Sequence, residues 1–361
     1  MTTEKRNILF LDNALELPYS KRHKILNSFD IELDLHDNFN EIQDKLKEIL
    51  TPHEFSLLQK SAKQNLDQII EGYKRDNIQI VSIYDNEYPE QLKYIENQQF
   101  CLYCKGNIDL LKSDCIAVVG SRKISDYGRV VTSQFVKEFV SAGLTIVSGM
   151  ALGVDSVAHN TTLQNQGATI AVLAGGFNHI YPTANFGLYK QICQNGLVIT
   201  EYPPNAEPLS YNFPVRNRII AGLSKGVLVT EAGLKSGALH TKNYALDMGR
   251  DVFAIPGKIT SSESEGTNNI IRQCQGALVT SPKDVFNALG INLQEKTQKT
   301  AQQLDIMTTS ILNYILAEKK TFQEIADFTK LSTRDLNNKL LEMQMDGLII
   351  KLAGNAYISV K

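Results

Sequence analysis

Apolar residues in the first part of the chain recur three and four positions apart among many charged residues, as at Leu46, Ile49 and Leu50. This spacing places apolar side chains on one face of a helix. The pattern predicts a small helical domain over residues 1–75, of the sterile-alpha-motif or helix-hairpin-helix kind. Residues 76–114 contain one strand-like apolar run and are predicted to form a connecting segment that joins the core.

Beyond this segment the pattern changes to short runs of Val, Ile and Leu, each followed by a small-residue turn and an amphipathic stretch of helix length. The runs predict strands at Ile116–Val119, Leu144–Val147, Thr169–Leu173, Leu197–Thr200, Val227–Thr230, Val252–Ile255 and Ala277–Val279. Strands without alternating polar positions are buried on both faces, which is typical of a parallel sheet covered by helices. We therefore predict an α/β fold with a Rossmann-like parallel sheet core over residues 115–290.

The end of the chain has a third pattern. Residues 291–304 are rich in Gln, Lys and Thr and show no apolar face, so they are predicted to form a linker. Helical stretches then follow at Thr308–Ala317, Thr321–Phe328 and Thr333–Asp346, before two strand-like runs joined by a Gly-Asn turn. Three helices and a two-stranded wing predict a winged-helix domain over residues 305–361.

Composition and charge narrow the class of protein. The chain is 43% apolar and 21% charged with a net charge of -2, which excludes collagen-like repeats, general disorder and a small disulfide scaffold. Residues 1–114 hold 14 basic and 20 acidic residues, whereas residues 115–290 hold 14 and 11. Because a binding groove needs only local positive charge, the global balance does not exclude a polyanionic partner.

Targeting features point to the cytoplasm. No apolar stretch reaches the roughly 18–20 residues that a membrane-spanning helix needs, and no small-residue cleavage site follows the N-terminal apolar run. Five scattered cysteines suit a reducing compartment. We expect a cytoplasmic protein with no membrane partner.

Small residues and arginines follow several of the predicted strands, notably in Gly120-Ser121-Arg122, in Phe213-Pro214-Val215-Arg216-Asn217-Arg218 and in Ser236-Gly237. The carboxyl ends of parallel strands meet at one edge of a sheet, where ligands bind. Backbone N–H groups, hydroxyls and guanidinium groups at helix starts surround anionic oxygens. One such loop is ordinary capping and turn chemistry, but several on one edge predict a phosphate site.

The segment around Phe213 is the most specific of these loops. Arg216 and Arg218 lie two positions apart and do not share a helix face, so one can grip a ligand while the other braces the loop. An aromatic ring beside arginines is typical of single-strand binding, because the charge holds the backbone and the ring stacks on a base. The alternative is that Phe213 is a core anchor and both arginines form internal salt bridges.

Other site chemistries are not supported. The chain has no dinucleotide fingerprint and no complete Walker loop. Cys101 and Cys104 lack a second ligand pair for zinc, and Asp155 and His159 are better explained as a capping carboxylate and an ordinary helix histidine. We expect no catalytic residues, no metal and no cofactor.

Several of these motifs together resemble those of the DNA-processing protein A family, DprA or Smf. The similarity extends over Val119-Gly120-Ser121-Arg122, Ser148-Gly149-x-Ala151-x-Gly153-x-Asp155, Tyr181-Pro182, Phe213-Pro214-x-Arg216-Asn217-Arg218, Glu231-Ala232, Ser236-Gly237 and Val252-Phe253-Ala254-Ile255-Pro256-Gly257. It implies a cytoplasmic, homodimeric, non-enzymatic protein of natural transformation and DNA recombination. Such a protein binds and protects incoming single-stranded DNA and loads the RecA recombinase onto it.

The resemblance also implies the binding residues. They are Ser121, Arg122, Phe213, Arg216, Asn217, Arg218, Ser236 and Gly237, with Lys242 as an added charge in place of a more usual small residue. The stretch 209–212 lacks the basic residue that many relatives carry before the phenylalanine. Lys242 either restores that charge or faces solvent.

An enzyme on a related sheet is the alternative function. Nucleoside-monophosphate phosphoribohydrolases carry a Pro-Gly-Gly-x-Gly-Thr-x-x-Glu run that places a glutamate against the ribose. The comparable turn here, residues 231–238, has neither the glycine run nor that glutamate. The sequence therefore favours binding over hydrolysis.

Overall fold

The fold is taken from a computed structural model, which describes residues 1–95, 99–291, 306–316, 318–352 and 354–359. Helices dominate the first of these ranges. They are α1 (Thr3–Asn13), α2 (Tyr19–Ser28), α3 (Phe39–Ile49), α4 (Pro52–Ala62) and α5 (Leu66–Arg75).

The start of α4 shows how the sequence fixes such boundaries. The Thr51 hydroxyl accepts a hydrogen bond from the Glu54 backbone N–H, and the Glu54 carboxylate accepts one from the Thr51 N–H. Pro52 occupies the first helical position, where a missing N–H leaves no bond unmade. This reciprocal cap starts the helix at one residue and no other.

A nine-stranded sheet forms the centre of the described structure. Its strands are β1 (Gln79–Ser82), β2 (Cys101–Gly106), β3 (Cys115–Val119), β4 (Thr145–Ser148), β5 (Thr169–Val172), β6 (Leu197–Thr200), β7 (Gly226–Val229), β8 (Asp251–Ala254) and β9 (Ala277–Leu278). Their order across the sheet is β1-β2-β6-β5-β4-β3-β7-β8-β9. The seven strands from β6 to β9 in that order are parallel, which confirms the predicted α/β fold class.

The segment predicted to be a connection contributes the two remaining strands. β1 pairs antiparallel with β2, and β2 pairs antiparallel with β6, with Tyr103 opposite Thr200. The sheet therefore begins at Gln79 and extends beyond the parallel strands by one antiparallel hairpin.

Helices cover both faces of the sheet. They are α6 (Asp126–Ser141), α7 (Val154–Gln164), α8 (Phe186–Asn195), α9 (Asn212–Leu223), α10 (Ala238–Asp247), α11 (Glu265–Arg272) and α12 (Pro282–Ala288). In β3, Ala117 and Val119 pack in the cluster that contains α9 and α10, whereas Ile116 and Val118 pack in the cluster with α6 and α7. Burial on both faces explains why the strands are continuously apolar.

The last described ranges hold α13 (Ile306–Ile315), β10 (Lys320–Thr321), α14 (Phe322–Thr329), α15 (Thr333–Met345), β11 (Ile349–Leu352) and β12 (Ala356–Ser359). The strands form an antiparallel sheet in the order β10-β12-β11. The winged-helix assignment of this region stays a prediction, and the predicted linker lies, from residue 292 onward, outside the described residues. Among the helices that are described, none has both the length and the apolar character needed to cross a bilayer.

Candidate nucleic-acid interface

A cavity of about 800 Å³ opens at the carboxyl edge of the parallel strands. Three segments meet there: the β3 loop (residues 120–123), the first turns of α9, and the β7 loop (residues 230–237). Seven of the nine predicted binding residues line this strand-end cavity, namely Ser121, Arg122, Phe213, Arg216, Asn217, Ser236 and Gly237. The structure thus brings together side chains that lie more than 100 positions apart in the sequence.

The β3 loop is held in place by its backbone. The Ser121 N–H donates to the Glu231 carbonyl at 2.6 Å, and the Ser121 carbonyl accepts from the Val154 N–H at 3.1 Å. Gly153 has a φ of 79°, and a Cβ atom there would lie 2.2 Å from the Ser121 carbonyl oxygen. Only glycine permits this close approach, which fixes the β3 loop against the start of α7 and leaves Arg122 exposed.

Aromatic rings and an arginine form one wall of the cavity. The Arg122 guanidinium carbon lies 5.5 Å from the centre of the Phe213 ring, and the Tyr181 ring centre lies 5.6 Å from that of Phe213 at an interplanar angle of 76°. Phe213 is half-buried and Tyr181 is 51% exposed. Phe213 is therefore part of the cavity wall rather than an anchor of the hydrophobic core, and both rings are accessible for stacking.

Arg216 is a fixed positive charge in the floor of the cavity. Its side chain is buried, and its guanidinium donates to the carbonyls of Gly149, at 2.9 Å, and of Val172. Burial lowers the pKa of Arg216 to about 10, so the group stays charged at neutral pH. Within the described part of the chain, its Nη2 has no hydrogen-bond partner.

Arg218 lies outside the cavity, contrary to the prediction that it contacts DNA. It is 2% exposed, and its Nη2 donates to the Glu201 carboxylate at 2.5 Å. Residues two apart project from different faces of a helix, so α9 directs Arg216 and Arg218 to different surroundings. Of the two predicted roles, ligand contact and support of a loop, Arg218 has the second, because it holds Glu201 in the loop after β6.

Lys242 also lies outside the cavity lining. Its side chain is buried in α10, and its Nζ donates to the Gln275 side-chain oxygen at 2.8 Å. The lysine neither restores a charge to the cavity nor faces solvent. Its predicted contact with DNA is not supported by this placement.

The start of α9 and the β7 loop are joined by a direct hydrogen bond. The Asn217 side-chain amide donates to the Gly237 carbonyl at 3.2 Å, which ties α9 to the start of α10. Helix α10 begins at Ala238, so the positive end of its dipole lies beside Ser236 and Gly237. This helix start favours an anionic ligand.

Several residues that line the cavity were not predicted from the sequence, and they include basic, aromatic and acidic side chains. Lys123, Lys235, His240 and Tyr181 also border the cavity. The two lysines directly adjoin predicted residues, so their position in the chain was a usable signal. The acidic Glu263 comes from a turn after β8 that carried no such signal, and it accepts a 2.5 Å hydrogen bond from the Ser121 hydroxyl.

Asp155 is the second acidic residue that lines the cavity, and its carboxylate is hydrogen-bonded to the backbone. Its carboxylate accepts hydrogen bonds from the N–H groups of Gly149, at 3.1 Å, and Ala151, at 3.2 Å. Burial raises the pKa of Asp155, and the nearby Arg216 opposes that rise. The carboxylate thus orders the loop after β4 that receives the Arg216 guanidinium.

Known proteins are similar to this chain over most of its length. The family model described as DNA recombination-mediator protein A matches residues 79–290. Protein Smf of Escherichia coli is 35% identical over 302 residues, which cover 81% of this chain and 80% of that protein.

Solved structures agree with the sequence comparisons. The X-ray structure of DNA processing protein A from Streptococcus pneumoniae matches with a TM-score of 0.68 at 36% identity, covering 80% of this chain and 98% of that one. DNA processing protein A from Helicobacter pylori, described by its single-stranded DNA binding mode, matches with a TM-score of 0.54 at 30% identity, over 58% of this chain and 95% of that one. The match of the family model starts at β1, where the sheet itself begins.

Proposed function

The chain belongs to the DNA recombination-mediator protein A family, and from this premise we propose that it binds single-stranded DNA in the strand-end cavity. The observation that carries the proposal is the convergence of seven predicted residues on that cavity. The single-stranded DNA binding mode described for the Helicobacter pylori relative supports it.

The geometry accounts for binding without sequence preference. Arg122 and Lys235 are exposed cations at the cavity, and Arg216 offers one free nitrogen from its floor. These groups neutralise phosphates, while Phe213 and Tyr181 provide faces on which any base can stack. Base stacking on protein rings requires unpaired bases, so single strands are preferred over duplexes.

We further propose that the protein acts without chemical turnover, as a cytoplasmic homodimer that protects incoming DNA in natural transformation and loads RecA. The description of the family as a recombination mediator supports the RecA step. The β7 loop, with Lys235, Ser236 and Gly237 but no glutamate in the helix start, supports binding over phosphoribohydrolase chemistry. Sedimentation of the free protein and RecA filament formation on protein-coated DNA test the dimer and the loading step.

Substitution of Arg122 tests the binding proposal. Arg122→Ala is expected to weaken binding of labelled oligo-dT by about tenfold to a hundredfold, because a charge-assisted phosphate contact contributes roughly 1.5–3 kcal/mol. Fluorescence anisotropy measures the affinity, with a duplex of equal length and free mononucleotides as competitors. Arg122 is the suitable target because Arg216 is buried and its loss would remove a donor from the carbonyls of Gly149 and Val172.

Arg129→Ala is the matched control. Arg129 is an exposed arginine of α6 outside the cavity lining, so its removal takes the same charge from the protein without touching the site. We expect it to retain affinity. Equal affinity of both variants and the unaltered protein, with folding intact, would show that Arg122 does not contact DNA.

A further inference from the structure

An acidic side chain is hydrogen-bonded to the Ser121 hydroxyl, which is one of the proposed phosphate-binding groups. Glu263 lines the strand-end cavity, and its Oε2 lies 2.5 Å from the Ser121 Oγ. A serine hydroxyl has a single hydrogen to donate, and the Glu263 carboxylate at 2.5 Å is a closer acceptor for it than the Lys123 carbonyl at 3.2 Å. The Ser121 oxygen in turn accepts from the Lys123 N–H at 3.0 Å, so the hydroxyl is oriented toward the cavity acid.

The backbone that carries Glu263 is held on both sides. Before it, the Asn268 side chain bonds the Gly257 N–H and carbonyl, each at 3.1 Å. After it, the Gly266 N–H donates to the Ala232 carbonyl at 2.7 Å. The turn Ser262–Ser264 is therefore fixed beside the β7 loop, and its position directs Glu263 into the cavity.

The carboxylate itself is held far less firmly than its backbone. Among the described residues, Glu263 forms no ion pair, and its one side-chain hydrogen bond is the one from Ser121. Glu231, by contrast, is buried and accepts bonds from both the N–H and the hydroxyl of Ser125. Glu231 is thus a structural acid, whereas Glu263 can leave its partner without breaking another contact.

We propose that Glu263 is an internal competitor of the DNA phosphate at Ser121. A phosphate oxygen requires the same hydroxyl hydrogen that the carboxylate holds, and two anions on one donor repel each other. DNA entering this subsite displaces Glu263, so the residue sets the affinity of the site from within the fold. This inference rests on the proposed function.

Neutralising the carboxylate tests the competition. Glu263→Gln is expected to bind labelled oligo-dT between about twofold and tenfold more tightly, since the substitution removes the charge that strengthens this half-exposed hydrogen bond in the unbound state. Glu263→Ala, which also removes the acceptor, is expected to gain at least as much. In a Ser121→Ala background the gain is expected to disappear, because the shared donor is gone.

Glu265→Gln is the matched control. Glu265 lies two positions on, is exposed at the start of α11 and does not line the cavity. It carries the same charge, so it reports the general effect of a more positive surface. Its expected change in affinity is less than that of Glu263→Gln.

The outcomes separate the two levels of the proposal. Tighter binding for Glu263→Gln than for Glu265→Gln supports the competitor role. Equal effects of the two variants, weaker binding by Glu263→Gln, or a gain that persists without the Ser121 hydroxyl overturns that role while leaving single-strand binding intact. Failure of the unaltered protein and of both Glu263 variants to bind oligo-dT overturns the proposed function and, with it, this inference.

Discussion

Two arginines of α9 show how closely spaced residues of one type take different roles. Arg216 reaches the cavity floor, where its guanidinium donates to two backbone carbonyls, while Arg218 is buried against Glu201. Breaking a buried pair leaves an uncompensated charge, so Arg218 is a structural residue. From the sequence we predicted that one arginine contacts a ligand and the other supports the loop. Which arginine has which role depends on the direction in which each side chain projects from α9.

His159 makes the stability of the fold dependent on pH. Its Nδ1 bonds the Thr169 hydroxyl at 2.7 Å, that hydroxyl donates to the Ile146 carbonyl, and the His159 Nε2 is buried without a partner in the described structure. Burial lowers the pKa of His159 from 6.5 to about 3. Below pH 6.5 the unfolded chain therefore binds a proton that the folded protein does not, and stability falls.

We expect the free energy of unfolding to fall by up to about 1.4 kcal/mol per pH unit from this group as the pH drops below 6.5. Urea denaturation at several pH values measures the slope. His159→Gln removes the titrating group. The free energy of unfolding of this variant is expected to fall less steeply with decreasing pH, by up to about 1.4 kcal/mol per pH unit. Parallel profiles for the two proteins would show that His159 does not control the acid response.

At this scale the sequence predicted much of the site, and the misses have physical causes. Motif spacing identified Ser121, Arg122 and Phe213, because strand-end loops meet at one edge of any parallel sheet. Lys242 was misplaced because the orientation of a side chain on α10 depends on its packing against Gln275. Glu263 was missed because the loop after β8 has to fold back on the β7 loop before the acid reaches Ser121.

At the scale of elements, the antiparallel edge of the sheet joins the helical unit to the core. One hydrophobic cluster contains Phe10 and Leu46 of the helices together with Phe100, Tyr103 and Val198 of the sheet. A buried polar network crosses the same boundary. The Asp12 carboxylate accepts from Arg22 at 2.6 Å and from Cys101 and Tyr103 at 3.2 Å each.

Deleting residues 1–75 is expected to cause aggregation, because it exposes Phe100, Tyr103 and other apolar side chains of that cluster to water. Size-exclusion chromatography with a thermal melt measures this effect. Deleting residues 292–361 is the control. The hydrophobic cluster of that region is built from residues 307–357 alone, so its removal is expected to leave the cluster around Phe10 and Tyr103 covered. A soluble, cooperatively melting protein without residues 1–75 would contradict the packing described here.

The sequence predicted the parallel strands well but missed the pairing at this edge. Continuous apolar runs mark strands buried on both faces, and β3 to β8 follow them closely. The region of β1 and β2 was predicted to hold one strand-like run in a connecting segment, because the identity of a strand's neighbour depends on long-range contacts. Their antiparallel pairing next to β6 was therefore visible only in the folded chain.

At the scale of the whole molecule, the net charge of -2 conceals an uneven distribution. Arg122, Lys123, Arg216 and Lys235 line one cavity, where Glu263 and Asp155 are the opposing acids. Residues 1–114 carry an excess of acidic groups, which disfavours non-specific contact of that part with DNA. Binding is therefore expected to depend on the cavity rather than on a generally basic surface.

The dependence of oligo-dT affinity on salt tests this central claim most directly. Anisotropy titrations of the unaltered protein are expected to give a linear fall of log affinity with log salt, with a slope of about 0.7 per phosphate neutralised. Arg122→Ala is expected to reduce the slope by about 0.7, because one phosphate contact is lost. A flat salt response, or an identical slope for the two proteins, would contradict the assignment of the strand-end cavity as a phosphate-binding site for single-stranded DNA.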